Sequence, residues 1–109
     1  MGNKSQTLER IRKLEKLVEE GVEDELIRQT LDKLLYQERC KQESGLKEIE
    51  ERLHRFEEQY NMDSESFYQR FTQGKLGDGE DYFEWDALYQ MYKSAKERLT
   101  LLEDLDGDD

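Results

Sequence analysis

With 109 residues, 41 % of them charged and only 34 % apolar, the chain is one domain in size and has too little apolar surface for a deep globular core. A net charge of −11 opposes binding to phosphate backbones, and no apolar run approaches the roughly 18 residues of a membrane span. Proline is absent, which suits a chain that is mostly helix, because proline removes a helix hydrogen bond.

The first segment, "SQTLERIRKLEKLVEEG", places Leu8, Ile11, Leu14, Leu17 and Val18 on one helical face. The spacing predicts a helix over about 5–20, capped by Ser5 or Thr7 and stopped by Gly21. Its basic residues Lys4, Arg10, Arg12, Lys13 and Lys16 are interrupted by Glu9 and Glu15, so a solvated face is expected rather than a nucleic-acid arm. The segment also lacks the apolar core of a signal peptide, so a cytoplasmic location is expected.

A second, longer helix is predicted over 24–61, capped by Asp24, with Gly45 as the one residue that could interrupt it. Ile27, Leu31, Leu34 and Leu35 form a stripe in its first half. In the second half Leu46, Ile49, Leu53, Phe56 and Tyr60 recur at +3, +4, +3, +4, a heptad pattern that buries a narrow seam against another helix. Glu38, Arg39 and Gln42 weaken the pattern between the two stripes. A continuous helix of this length would extend about 55 Å at 1.5 Å per residue, more than a small core covers. The heptad seam is therefore expected to pair with a second copy in a dimer.

Eight of the eleven aromatic residues fall between Phe67 and Tyr92. A short helix over about 64–73 is expected, capped by Asp63 or Ser64 and ended by Gly74, with Phe67 and Phe71 inward. The loop "GKLGDG" lies between helices and lacks the spacing of a phosphate-binding loop, so it reads as a tight corner with Leu76 as an apolar plug. The last helix, about 80–103, carries the stripe Trp85, Leu88, Tyr92, Ala95, Leu99 and Leu102. Phe83, Tyr82, Tyr89 and Met91 widen that face beyond what one neighbouring helix covers. Phe67, Phe71, Leu76, Phe83, Trp85 and Tyr89 would wrap the corner as core, with the last helix folding back along Leu46 to Tyr60, whereas tyrosine and methionine are also types enriched at binding hot spots. Residues 104–109 read as an acidic, frayed tail, since Asp104, Asp106 and Asp108 lack the downstream ligands of a calcium loop.

Reactive side chains are few. Cys40 is the only cysteine, which leaves no disulfide framework and no thiol metal site within one chain. His54 is the only histidine, and Glu51-x-x-His54 is a single copy of a motif that helical metal sites use in pairs. No catalytic residue, cofactor, metal or small-molecule substrate is expected.

The residues Phe56, Glu57, Tyr60 and Met62, then Phe67, Tyr68, Arg70 and Phe71, then Gly74, Leu76, Gly77 and Asp78, then Phe83, Glu84 and Trp85 together form a string. It resembles a group of short prokaryotic helical proteins, many of which look like the antitoxin halves of type II toxin–antitoxin pairs. The resemblance covers roughly residues 46–103. It implies a protein that masks a small toxin encoded beside it; the chain departs from many antitoxins in having no helix-turn-helix with a basic second helix.

The expectation is thus a non-enzymatic, all-α, single-domain protein of residues 1–103: a long helical hairpin with coiled-coil character, a short helix and Gly-rich corner, and a last helix folding back. Its expected partner is another protein, and a basic toxin would suit the acidic surface because opposite charge steers encounter. The expected contact residues are Tyr82, Trp85, Tyr89 and Tyr92 with the acidic rim Glu80, Asp81, Glu84 and Asp86. The alternative is a structural coiled-coil or prefoldin-like adaptor that holds clients broadly and has no dedicated partner.

Overall fold

Helix boundaries follow from local chemistry at each end. In the computed structural model, which describes residues 2–22 and 24–106 with side chains through Glu103, there are four helices and no strand among the described residues: α1 (Lys4–Glu19), α2 (Glu25–Tyr60), α3 (Ser64–Thr72) and α4 (Glu80–Asp106). The cap of α1 is Asn3 and not Ser5 or Thr7: its extended backbone lets the side chain accept from the Gln6 N–H at 3.1 Å, which starts the helix one residue early. Asp24 caps α2 by accepting from the Ile27 N–H at 3.0 Å, and Asp63 caps α3 by accepting from the Ser66 N–H at 2.8 Å. The latter bond holds the Asp63 carboxyl below its ordinary pKa.

Three helices end the same way. Gly21 (φ 100°), Asn61 (φ 52°) and Gly74 (φ 74°) adopt left-handed backbone just past α1, α2 and α3. The next residue then donates back across the last turn, Val22 to Leu17, Met62 to Glu57 and Lys75 to Arg70, at 2.9, 3.2 and 3.0 Å. Asparagine tolerates this conformation better than other side-chain-bearing residues, so the α2 stop needs no glycine. Gly45, by contrast, lies within an unbroken α2. At the other end α4 runs to Asp106, past its expected end at 103; Gly107–Asp109 of the expected tail lie outside the described residues.

The chain divides into two compact units, residues 1–35 and 36–109. In the first unit α1 faces the start of α2 across a groove lined by Ile11, Leu14, Val18 and Leu31. None of its described residues is buried; Leu14, Ile27 and Leu35 are only half-buried.

The second unit has a core. Leu53, Phe67, Trp85 and Leu88 are buried, and Ile49, Phe56, Tyr60, Met62, Tyr68, Phe71, Leu76, Tyr82, Tyr89 and Tyr92 pack around them. α4 runs antiparallel to α2: Tyr60 meets Asp81 near the corner, and Leu46 lines one cavity with Leu99 far from it. The heptad stripe Leu46, Ile49, Leu53, Phe56 and Tyr60, expected both as an oligomer seam and as the face along which the last helix folds back, faces α4 of its own chain. Ala95 and Leu99 are buried further along α4, in phase with Trp85 and Leu88. No helix is long and apolar enough to cross a membrane among the described residues.

Candidate partner-binding surface

Trp85 decides which face of α4 is available. It is fully buried and stacks on Phe67 of α3, with ring centroids 3.9 Å apart and planes 6° apart. Phe56 and Tyr60 of α2 approach the same indole at 5.6 Å each. Rings that large, removed from water between three helices, dominate the energetics of so small a core. Trp85, expected among the contact residues, is therefore core and beyond a partner's reach.

The other expected contact residues divide between core edge and surface. Tyr82 is half-buried, with its ring against Tyr60, Phe67 and Phe71 at 5.5, 5.8 and 6.4 Å. Tyr89 lies 5.1 Å from Tyr68 and 6.1 Å from Tyr92, again half-buried. Burial is the main reason its phenol is held above the ordinary pKa, with the Glu65 carboxylate adding to it. Lys93 places its ammonium over the Tyr68 and Tyr89 rings at 4.9 and 5.8 Å, and Lys96 sits 5.4 Å over Tyr92. The exposed edge of this tyrosine row is thus capped by cations.

The acidic rim also divides. Asp81 is half-buried and accepts from the Tyr60 hydroxyl at 2.5 Å, which pushes that phenol up to about 12. Glu84 is exposed and stands 4.0 Å from Arg52 of α2. Asp86 accepts from Gln90 at 3.0 Å through one oxygen; its other oxygen is buried without a hydrogen-bond partner among the described residues. Glu80 is exposed at the start of α4.

A surface that the sequence pattern did not isolate lies on the opposite side of α4. Phe83, Ala87 and Met91 follow one another at i, i+4, i+8, and Phe83 and Met91 are 56 % and 49 % exposed. Phe83 touches the core only by its edge, meeting Phe71 at 5.4 Å and 89°. The signal was available: at 100° per residue Phe83 and Ala87 point away from Trp85 and Leu88, so Phe83 belongs outside the plug that its aromatic character suggested.

The remaining reactive groups stay apart. His54 lies 3.0 Å from Glu58 through Nε2 and 3.6 Å from Glu57 through Nδ1, both on its own helix. Among the described residues no three His, Cys, Asp or Glu side chains converge as a metal-binding group. Cys40 is exposed and lines a shallow cavity with Ser44, Leu46 and Leu99. Compared with known proteins, the chain matches no family model, no curated protein and no solved structure.

Proposed function

We propose that this chain is a non-enzymatic protein-binding protein of antitoxin-like type, which holds a basic partner protein encoded beside it against the outward face of α4. The observation that carries this reading is the exposed row Phe83, Ala87 and Met91, on a helix that packs into the core through Trp85 and Leu88. An apolar row with an aromatic and a methionine, flanked by Glu80 and Glu84, has the composition of a hot spot with a polar rim. Residues 1–35 carry seven basic and eight acidic side chains, so −10 of the chain's −11 falls on residues 36–109, the unit that holds this row. That charge would steer a basic partner toward it. The resemblance of residues 46–103 to antitoxin-like proteins supports the same partner class.

Co-expression with the neighbour-encoded protein tests the reading. Co-purification with relief of growth arrest is expected, and a Phe83→Ser, Met91→Ser double variant should weaken capture by more than about tenfold, which is roughly 1.4 kcal/mol. Undiminished capture by that variant would remove the α4 face from the proposal. Failure of the neighbour to bind, with weak holding of many unfolded clients instead, would favour the adaptor reading.

A further inference from the structure

We infer that His54 is the pH-sensitive end of a latch that runs through Glu57 and Ser64 to the buried Trp85, and that protonating His54 tightens the corner where α2, α3 and α4 meet. The inference uses no residue of the outward α4 row, so it stands or falls apart from the partner proposed for that row.

The latch is a chain of direct contacts. Glu57 uses its Oε2 to accept the Ser64 backbone N–H at 2.9 Å and the Ser64 hydroxyl at 2.8 Å. The hydroxyl oxygen accepts the indole N–H of Trp85 at 2.9 Å, and Trp85 is fully buried. The other Glu57 oxygen, Oε1, stands 3.6 Å from Nδ1 of His54, while Nε2 of the same ring stands 3.0 Å from Glu58. Both ring nitrogens therefore face carboxylate oxygens. A neutral imidazole carries one N–H, so its second nitrogen turns a lone pair toward a carboxylate; the imidazolium presents N–H to both. Neutral His54 sets the ring against one of its neighbours, and charged His54 attracts both.

The surroundings favour the same sign. On α2, Glu50 and Glu51 line the cavity beside His54 together with Glu57, against one cation, Lys47. From α4, Tyr92 lines that cavity and carries the Lys96 ammonium 5.4 Å over its ring. At the start of α3 the acids are Asp63, committed to the Ser66 N–H, and Glu65, whose carboxylate bears on Tyr89. A positive charge at His54 thus meets net attraction. The Glu57 side chain is 31 % exposed against 66 % for His54, so the latch leads from solvent into a partly desolvated joint. Fixing Oε1 holds Glu57 in the rotamer whose Oε2 serves Ser64, and with it the first turn of α3 and the indole. An interaction that only the charged ring makes is complete at acid pH and is lost as pH rises through the range in which histidine titrates.

Both ends of the latch occur once, since His54 is the only histidine and Trp85 the only tryptophan. Hydrogen exchange of the Trp85 indole N–H in the purified full chain, expressed as protection relative to free indole, reads the joint. Protection is expected to be about two- to fivefold higher at about pH 5.5 than at about pH 8, the range that an exposed ion pair supports. Its midpoint should coincide with that of the His54 ring protons followed by NMR. In His54→Gln the difference should vanish. Glu57→Gln keeps an oxygen to accept from Ser64 and removes the charge, so Trp85 should stay buried while the difference is again lost. Equal protection at both pH values in the parent chain, or a difference that survives either His54→Gln or Glu57→Gln, would overturn the inference. Should Glu57→Gln fail to fold, His54→Gln decides alone, because that side chain is exposed.

Discussion

The indole N–H of Trp85 donates to the Ser64 hydroxyl at 2.9 Å, and that hydroxyl donates onward to the Glu57 carboxylate at 2.8 Å. The same carboxylate oxygen accepts the Ser64 backbone N–H at 2.9 Å, so one acid on α2 serves both the first turn of α3 and, through Ser64, the buried ring of α4. Ser64 is the one buried polar residue among the described residues, and its hydroxyl satisfies that indole. Ser64→Ala should therefore lower stability by about 1–3 kcal/mol in urea unfolding, because it strands a buried N–H. Adding Trp85→Phe should cost less than the sum of the two single changes, since it removes the stranded donor. A Ser64→Ala variant as stable as the parent would show that the relay contributes nothing.

Two glycines should respond to alanine with opposite sign. Gly45 is exposed inside α2, and an added Cβ there meets nothing within 4 Å, so Gly45→Ala should raise stability by about 1 kcal/mol. At Gly74 the space is equally open, but φ is 74°. Gly74→Ala should lower stability by about 1–2 kcal/mol through backbone strain alone. Thermal melts of the two variants check this; a shift in the same direction would contradict the assigned backbone.

The Tyr60–Asp81 bond gives an alkaline signature. Its folded pKa is raised from 10.0 to about 12, first by the hydrogen bond to Asp81 and then by burial. A group raised in the folded state contributes stability that is complete below its unfolded pKa and lost as pH rises through the folded one. Stability should thus hold up to about pH 10 and decline towards about 12. In Tyr60→Phe this part of the decline should vanish, as followed by denaturant midpoints and phenolate absorbance. A decline of equal size in Tyr60→Phe would assign it to other groups.

The two faces of α4 should separate stability from binding. Leu88, 2 % exposed, should cost about 2–5 kcal/mol when cut to alanine. Phe83→Ser with Met91→Ser should change stability by no more than about 1 kcal/mol, because both side chains are half in water already. A collapse of the second unit in the double variant would mean that these residues support the fold and that its binding result cannot be read as a contact.

Much of this was legible in the residues. The run Trp85, Leu88, Tyr92, Ala95 and Leu99 keeps a 3-4 spacing, and any helix with that spacing has one apolar stripe to bury. Asp24 and Asp63 cap helices, and Gly21 and Gly74 end them, because such groups act on backbone within four residues. The cap of α1 was misplaced by the same logic: Asn3, Ser5 and Thr7 can all accept a backbone N–H, and only the observed backbone chooses among them.

Local chemistry therefore determined that the chain is helical, where its helices begin and end to within a few residues, and which stripes must be covered. It could not determine what covers each stripe, because periodicity is a property of one helix whereas a contact belongs to two. The stripe from Leu46 to Tyr60 would serve a second copy as well as α4, and the corner set by Gly74 and Gly77 brings α4 back onto it. That fold buries Trp85, leaves Phe83 and Met91 in water, and gives Ser64 its place beside the indole. These are distances between residues twenty or more positions apart, and only the tertiary structure fixes them.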